Sequence, residues 1–592
     1  MRFYNKTTSL IFSLLLATVT VQSQNLSYNQ PGSQAYTESA NPKKTNAAAW
    51  SKLPREVYVS FASSNTKYAK EKIPQVIQQT SWQTNAWKGE KVHTQLLIWT
   101  KKKLPAVNIR LSNLKNARGE TISANRIKAR FVRYTLADGF VEGCSQELSS
   151  RHDSLLAEDP IDIVDQLDVA ANSVQPVWLS VEVPAEAATG IYTGTVTVNA
   201  GKPVQLKMTV NVSKHVLPPP SEWKYDFDMW QYPAPVARIH NVPLWSDEHF
   251  NLMRQYFTYL ASAGQKVITA NIIEQPWGLD HVHFDDPSLI KWTKKKDGQW
   301  EYDFSLFEKY VSFIMSCGIT QRINCYTMIT WDLGFIYYDE ASGKNKTDTL
   351  KPGSVEYTQF WEPMLVQFTR FLKSKGWFEK TSIAMDERPV ESMQAVIALL
   401  KKVDPSWKIA LAGDSYHPEI ADDVYDYCLA SYLSFDKDIL ERRKKQGKPT
   451  TFYTACVEAY PNGYTVSPPA ENVLLAWFAA SRGLTGYLFW AYNTWNANPL
   501  MDTRWRRYPA GELFQFYPGP RTSVRFEKLI EGIQDFEKIR LLRDQFTRSG
   551  NRAALQKIDR VLAGFKMEKL KTIPAATILE KGKKMLIELS AL

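Results

Sequence analysis

From residue 225 onward, short apolar runs alternate with longer segments that carry the apolar spacing of amphipathic helices. The runs predict eight strands, at residues 225–230, 266–271, 322–326, 381–385, 408–412, 427–430, 450–454 and 486–490. The helical patterns span residues 248–263, 304–315, 362–375, 390–402, 437–445, 471–482 and 523–544. Because parallel strands of one sheet need crossover helices, eight such alternations predict a (β/α)8 TIM barrel.

A different rhythm precedes the barrel. Short runs with period-two alternation predict strands at residues 56–61, 93–100, 106–114, 127–136, 177–183, 192–198 and 204–212, a pattern typical of a β-sandwich. Three consecutive prolines, Pro218 to Pro220, form a stiff segment after it. We therefore predict a leader at 24–51, a β-sandwich domain at 52–215, a barrel domain at 221–545 and a short helical tail at 546–592.

The N-terminus has the features of a signal peptide. Arg2 and Lys6 precede an apolar run at residues 10–21, and a cleavage site is expected after Ser23. The run is too short for a comfortable membrane span. These features predict a signal peptide at residues 1–23 and an exported protein, periplasmic or extracellular, with no stable membrane insertion.

Composition limits the partners. The formal net charge is +11, and basic runs at residues 101–103, 294–296 and 442–445 either attract acidic glycans or form solvated faces. No nucleic-acid motif accompanies them, so no nucleic-acid partner is expected. The eight His are dispersed and the five Cys are too few and too scattered for a disulfide framework, so we expect no metal or other cofactor.

Two adjacent acids, Asp386 and Glu387, follow the fourth predicted barrel strand in the sequence TSIAMDERP, which ends at Pro389. In a TIM barrel the carboxyl ends of the strands carry the active site, and two carboxyl groups there can divide general-acid work from charge stabilisation. Acids beside a proline are also common at the start of a helix, where they complement the helix dipole. The pair alone leaves both interpretations open.

Other polar and aromatic residues follow the remaining strands. They are Trp230 after the first, Asn271 after the second, Tyr326 after the third, Asp414 and Tyr416 after the fifth, Tyr453 near the end of the seventh, and Trp490, Asn493 and Trp495 after the eighth. Aromatic faces can stack on a pyranose while amide and carboxylate groups bind its hydroxyls. The set therefore predicts a sugar-binding site.

The sequence allows two roles for a second carboxyl group beside Glu387. Adjacency makes Asp386 a poor nucleophile across the ring from Glu387, and favours a role in orienting a substrate 2-acetamido group that attacks the anomeric carbon itself. We expect Glu387 to carry the proton and Asp386 to stay ionised. Alternatively, Glu458, a few residues after strand seven, is the nucleophile of a glycosidase acting on neutral sugars. A barrel that only binds glycans, with the sandwich as a carbohydrate module, is a further alternative.

Seven segments occur in an order that resembles glycoside hydrolase family 123. They are DFDMWQ at 226–231, AMDER at 384–388, FWAYNTW at 489–495, PLMDT at 499–503, YPG at 517–519, SVRFE at 523–527 and EGIQD at 531–535. The preceding sandwich is similar to that family's N-terminal domain.

The resemblance implies a retaining exo-β-N-acetylgalactosaminidase that uses the substrate's acetamido group. Asp386 would orient that group and Glu387 would be the general acid/base. Trp490 would form the floor of the sugar subsite, with Asn493, Trp495 and Asp502 in the surrounding loop. Tyr453 and Tyr416 would lie near the acetamido or hydroxyl groups. The implied substrate is a glycan, either a glycoconjugate or a glycosaminoglycan-type oligosaccharide.

Overall fold

The computed structural model describes residues 35–139, 154–277, 286–505 and 508–592. The predicted signal peptide and Cys144 lie outside these ranges. Among the described cysteines, Cys317, Cys325 and Cys428 are free and buried. No helix in the described ranges is both long and apolar enough to cross a membrane.

The N-terminal domain is a β-sandwich, as predicted. Its strands are β1 (Val57–Ala62), β2 (Ser81–Lys88), β3 (Lys91–Thr100), β4 (Leu104–Leu111), β5 (Leu114–Lys115), β6 (Thr121–Ile122), β7 (Ile127–Ala137), β8 (Leu155–Ile161), β9 (Gln166–Val169), β10 (Ser173–Glu182), β11 (Gly190–Ala200) and β12 (Lys202–Val216). One sheet has the order β1-β3-β10-β7-β8 and the other β2-β12-β11-β4-β9, with β5 and β6 attached. Apolar side chains of both sheets form the core between them. A short helix, α1 (Ala47–Ser51), precedes the sandwich.

The second domain is an eight-stranded parallel barrel, also as predicted. Its strands are β13 (Asp226–Met229), β14 (Val267–Asn271), β17 (Arg322–Tyr326), β20 (Thr381–Asp386), β21 (Lys408–Gly413), β22 (Asp426–Ala430), β23 (Thr450–Tyr453) and β24 (Gly486–Phe489). Their order is β13-β24-β23-β22-β21-β20-β17-β14. A single parallel pairing of Phe227 with Gln265 brings the two ends of the sheet together. All eight predicted strands are confirmed.

The helices surround the barrel and form the tail. They are α2 (Ala234–His240), α3 (Asp247–Ser262), α4 (Ser305–Ser316), α5 (Val355–Ser374), α6 (Val390–Val403), α7 (Lys437–Lys445), α8 (Pro469–Arg482), α9 (Val524–Arg548), α10 (Arg552–Leu562) and α11 (Ala575–Ser590). Helix α5 begins well before the predicted start and contains Pro363 in its interior. Because α9 continues past residue 545, the predicted limit between barrel and tail falls inside a helix. The domain limits therefore stay a prediction.

Four strands that the sequence analysis did not predict form a small sheet on the loops after β14 and β17. They are β15 (Lys291–Lys294), β16 (Trp300–Asp303), β18 (Gly334–Asp339) and β19 (Lys344–Thr349), in the order β16-β15-β18-β19. The basic run at residues 294–296 lies in the β15–β16 hairpin, where Lys295 pairs with Glu340 at 2.8 Å. The basic run at residues 442–445 is not entirely solvated, because Arg443 is fully buried and donates to four backbone carbonyls.

Candidate active site

Asp386 is the last residue of β20, and Glu387 follows it at the carboxyl end of the barrel. Glu387 has a φ of 49°, and its N–H donates to the Ala412 carbonyl at 2.7 Å. A left-handed backbone at a residue other than glycine costs about 1–3 kcal/mol and persists only where the surroundings fix it. Side chains alternate along β20, with Ala384 inside the barrel and Met385 outside. The kink at Glu387 ends this alternation.

The Glu387 carboxyl group is held by a tyrosine. Tyr453, the last residue of β23, donates its hydroxyl to Glu387 Oε1 at 2.6 Å. Burial raises the pKa of Glu387, while this hydrogen bond lowers it and the nearby Asp414 raises it. The structure thus places Tyr453 directly on the predicted general acid/base.

Asp386 has the more strongly perturbed carboxyl group. Burial and the neighbouring Glu387 raise the pKa of Asp386 well above its ordinary value, whereas Arg388 and a hydrogen bond from the Trp331 side chain lower it. Such a pair titrates as a unit, because the first ionisation opposes the second. The pKa values of both acids are raised, so the pair favours holding a proton, and the assignment of that proton to Glu387 stays a prediction.

Four aromatic rings line the inside of the barrel mouth. The Trp230 ring lies 4.7 Å from that of Tyr326 and 5.4 Å from that of Trp277, between ring centroids. Tyr232 lies 5.6 Å from Trp277 and donates its hydroxyl to the Trp490 carbonyl at 2.9 Å. All four are buried, so they form a packed apolar wall under the acids.

Trp490 follows β24 and remains partly exposed. Its indole N–H donates to Glu512 Oε1 at 3.2 Å, and its ring lies 5.3 Å from that of Tyr508. Glu512 is fully buried, and burial raises its pKa to about 8. A partly exposed indole held at its edge by a buried carboxyl group is a suitable floor for a sugar ring.

The Glu458 carboxyl group lies near the acid pair, and its pKa is raised by burial and, to a smaller extent, by the proximity of Glu387. Each of its oxygens accepts a hydrogen bond from a neighbouring residue. Oε1 accepts the Ser431 hydroxyl, and Oε2 accepts the Ala455 N–H at 2.9 Å. These contacts shape the loop after β23.

Two regions of the chain match family models. Residues 230–542, more than half of the chain, match the catalytic domain of glycoside hydrolase 123, and residues 61–200 match the glycoside hydrolase 123 N-terminal domain. The chain belongs to glycoside hydrolase family 123. The resemblance drawn from seven short segments is thereby confirmed, and the family 123 chain is a glycoside hydrolase.

Solved structures give the same result. A family 123 glycoside hydrolase from Clostridium perfringens, from a study of glycolipid glycan hydrolysis, is 25% identical with a TM-score of 0.83, over 91% of this chain and 98% of that chain. A family 39 glycoside hydrolase from Bacteroides cellulosilyticus WH2 is 12% identical with a TM-score of 0.33, over 72% of this chain and 80% of that chain, too low to carry an inference. No curated protein matches this chain.

Three residues of the family 123 chain that were expected to contact substrate have other surroundings. Trp495 is fully buried, with its indole N–H on the Phe516 carbonyl at 2.7 Å, so it packs in the core and cannot stack on a sugar in this conformation. Asp502 pairs with Arg504 at 2.7 Å, beside the sandwich. Tyr416 packs on Phe435.

The other predicted residues gather at the barrel mouth. Asn493 lies there, but both atoms of its amide group bind the Tyr232 backbone, at 3.0 and 2.7 Å, so it supports the aromatic wall. Asn271 ends β14 and is buried beside Tyr326 in the sheet register. Trp230, Tyr326, Tyr453 and Trp490 line the site as described above.

The sequence analysis missed five residues of the family 123 site: Tyr232, Trp277, Trp331, Arg388 and Glu512. Trp331 is 46% exposed, and the Arg388 guanidinium lies 4.7 Å from the centre of its ring. Arg388 belongs to the quoted AMDER segment and could have been identified there. Glu512 lies in the long loop after β24, far from the end of that strand in the sequence, and no local pattern marks it. Trp331 lies shortly after the end of β17, and that position could have identified it.

Proposed function

We propose that the chain is an exported, retaining exo-β-N-acetylgalactosaminidase, which releases terminal β-linked N-acetylhexosamine from glycans by substrate-assisted catalysis. The observation that carries the proposal is the pair of adjacent, partly buried acids, with Tyr453 on Glu387 and Trp331 on Asp386. Adjacent acids on one strand end suit one acid/base and one orienting carboxylate better than two groups on opposite faces of a sugar.

In the first step Glu387 donates its proton to the glycosidic oxygen. The acetamido carbonyl oxygen forms a bond to the anomeric carbon as the bond to the leaving group breaks. The product is an oxazolinium ion, whose positive charge the Asp386 carboxylate balances while it accepts the acetamido N–H. In the second step Glu387 takes a proton from water, which attacks the same carbon from the opposite side of the oxazoline, reopens it and leaves the original configuration.

Substrate binding would favour the protonation states that this mechanism needs. The acetamido N–H would donate to Asp386, and a donor lowers the pKa of a carboxyl group. Because the two acids titrate together, stabilising the Asp386 anion favours the proton on Glu387. A sugar without an acetamido group lacks this donor and would not stabilise the Asp386 anion in the same way.

The surroundings of Glu458 favour this mechanism over a protein nucleophile. A nucleophilic carboxylate must be directed at the anomeric carbon. The hydrogen bonds that Glu458 accepts, from the Ser431 hydroxyl and the Ala455 N–H, instead hold its carboxyl group between Ser431 and its own loop. We therefore assign Glu458 to the support of its loop.

Two exposed aromatic residues flank the acids on the solvent side. Trp331, in the loop after β17, is 46% exposed, and Tyr432, after β22, is 60% exposed, with its hydroxyl on the Asp414 carbonyl at 3.4 Å. Exposed aromatic faces beside a sugar pocket suit the leaving part of a larger glycan. They support a glycoconjugate or a glycosaminoglycan-type oligosaccharide as substrate, and the former accords with the glycolipid glycan hydrolysis studied in the Clostridium perfringens enzyme.

The test is hydrolysis of matched aryl β-glycosides of N-acetylgalactosamine, N-acetylglucosamine and galactose, with Glu387→Gln and Asp386→Asn measured alongside. Cleavage confined to the acetamido sugars, with losses of about 10³-fold or more in both variants, is expected. The N-acetylgalactoside should be the better of the two. Cleavage of the plain galactoside at a comparable rate would assign the nucleophile to a protein carboxylate, and the mechanism would be wrong.

Binding without cleavage of any of the three would favour a glycan-binding protein. Circular dichroism and thermal unfolding of both variants control for folding. Near-wild-type turnover by either variant would contradict its assigned role. The proposed export is tested separately, by sequencing the N-terminus of the mature protein, which is expected at Gln24.

A further inference from the structure

The quoted SVRFE segment at the start of α9 contains Arg525, which the catalytic mechanism does not use. Its side chain is fully buried and connects three parts of the molecule. Nε donates to Asp159 Oδ2 in strand β8 of the sandwich at 2.9 Å. Nη1 donates to the carbonyls of Gly463 and Gly511, each at 2.6 Å, and Nη2 donates to the Phe514 carbonyl at 2.9 Å.

The three carbonyls belong to the loops after β23 and β24, which carry the active-site residues. Gly511 precedes Glu512, whose carboxyl group holds the Trp490 indole. Gly463 follows Asn462, whose side-chain N–H groups donate to the Ala455 carbonyl at 2.9 Å and the Glu458 carbonyl at 3.1 Å. One guanidinium group therefore fixes both the loop below the sugar floor and the loop that follows Tyr453.

The two loops pack closely against each other. A Cβ atom on Gly511, where φ is +83°, would lie 2.0 Å from Thr465 Oγ1. A Cβ atom on Gly463 would lie 2.4 Å from Gln515 Nε2. The approach of backbone to backbone leaves carbonyl groups facing inward, and Arg525 supplies the N–H groups that satisfy them.

The sandwich completes this arrangement from the other side. Strand β8 is the edge of its sheet, and the barrel covers that edge, with the Ile161 N–H on the Thr522 carbonyl at 2.9 Å. Asp159 faces Arg525 there, fully buried, and also accepts the Tyr517 hydroxyl at 2.6 Å. A buried guanidinium needs a buried anion, so the position of Arg525 depends on the sandwich.

We propose that Arg525 is a positioning residue for both active-site loops, and that the sandwich, through Asp159, is a structural part of the active site and not a detachable carbohydrate module. The catalytic effect of this arrangement rests on the proposed function, whereas its effect on the loops does not. The loops should loosen when the pair is broken, whichever substrate the enzyme uses.

The junction also offers a matched control. Asp162, just after β8, accepts Arg521 Nε at 2.8 Å and Arg133 Nη1 at 3.0 Å. Asp162 and Arg521 are fully buried, like Asp159 and Arg525. The Nη1 atom of Arg521 donates to the Pro518 carbonyl, which lies in the loop after β24 but beyond the part that Arg525 contacts. Asp162→Asn therefore breaks an equally buried pair in the same interface without removing a contact to Gly463, Gly511 or Phe514.

The experiment measures amide hydrogen exchange and steady-state kinetics of the full chain carrying Asp159→Asn, Asp162→Asn or Arg525→Lys. Arg525→Lys keeps a charge for Asp159 but lacks the fork that reaches the loop carbonyls, so it serves if Asp159→Asn does not fold. We expect Asp159→Asn and Arg525→Lys to accelerate exchange in residues 455–465 and 508–516 and to lower kcat/KM about tenfold to a hundredfold, with a raised KM because Trp490 loses its support. Asp162→Asn should lower the unfolding temperature but leave exchange in both segments and KM unchanged.

Equal exchange and equal kinetics in Arg525→Lys and Asp162→Asn would overturn the proposal, because a merely structural pair would produce that result. Exchange is measured on the free protein, so its outcome decides the positioning role even if none of the aryl glycosides is cleaved. In that case the proposed function fails while faster loop exchange in Arg525→Lys still supports the role of Arg525.

Discussion

Replacing Tyr453 with Phe removes a single hydroxyl group, the donor that lies 2.6 Å from Glu387 Oε1. This hydrogen bond lowers the pKa of Glu387, because it stabilises the carboxylate and not the acid. In the variant the pKa of Glu387 should therefore rise. The proton needed for general-acid catalysis is then retained at higher pH, so the alkaline limb of kcat/KM should move upward.

The size of the effect follows from the contact. An O–H donor to a charged group contributes about 1.5–3 kcal/mol, and one pH unit corresponds to about 1.4 kcal/mol. Water can replace part of the lost bond at the barrel mouth, so we expect the limb to move by about one pH unit. The maximal kcat should fall about tenfold, because Glu387 loses the contact that orients it.

The assay is the pH dependence of kcat/KM on an aryl N-acetylgalactosaminide. Tyr464→Phe is the matched control, since the Tyr464 hydroxyl is also buried in the loop after β23 but donates to the carbonyls of Ala455 and Glu458, at 2.7 and 2.9 Å. It should reduce stability without moving the limb. If the Tyr453→Phe profile coincided with that of the wild type, or if both variants moved it equally, the assignment of Glu387 as general acid through this contact would be refuted.

Three further outcomes are expected. Glu458→Gln should keep activity within about tenfold, because an amide can serve both Ser431 and the loop N–H, whereas a lost nucleophile would cost orders of magnitude in kcat. Trp331→Phe keeps a ring beside Arg388 but loses the donor that lowers the pKa of Asp386, so the acid limb of kcat/KM should move to higher pH. Glu512 has a pKa raised from 4.5 to about 8, so the folded state loses stability as pH rises between these values. Glu512→Gln cannot ionise and should exceed the wild type by about 3 kcal/mol at pH 7 in urea unfolding, with little difference near pH 4.

The barrel could be predicted from sequence because its strands are buried on both faces and its helices are amphipathic. Strand β8 could not, since it contains Glu158, Asp159 and Pro160, which predict an exposed turn. Asp159 and Pro160 are covered by the barrel, which supplies Arg525 and the Thr522 and Ser523 backbone across the junction. A strand whose charged residues find partners several hundred positions away carries no local signal.

The site was predictable where a strand end fixes a residue, as at Asp386, Tyr453 and Trp490. It was not predictable where a long loop returns to the barrel mouth, as at Glu512. Trp495 shows the opposite error. It lies in the same aromatic segment as Trp490, but its indole is directed into the core, where the Phe516 carbonyl accepts its N–H.

The sequence shows that the two acids are adjacent. In a regular strand, however, this adjacency would put their side chains on opposite faces. In an extended strand, neighbouring side chains point to opposite faces, so a carboxyl group inside the barrel at position 386 would leave its neighbour outside. The left-handed backbone of Glu387 removes this conflict, and its carboxyl group reaches Tyr453, which belongs to the interior set of side chains. The strain is offset by the bond from the Glu387 N–H to the Ala412 carbonyl and by the tyrosine contact. In the proposed function both acids then approach the sugar from one strand end, a geometry that suits an acid/base beside an acetamido-orienting carboxylate. The left-handed backbone conformation of Glu387 permits this geometry and is therefore itself a feature of the active site.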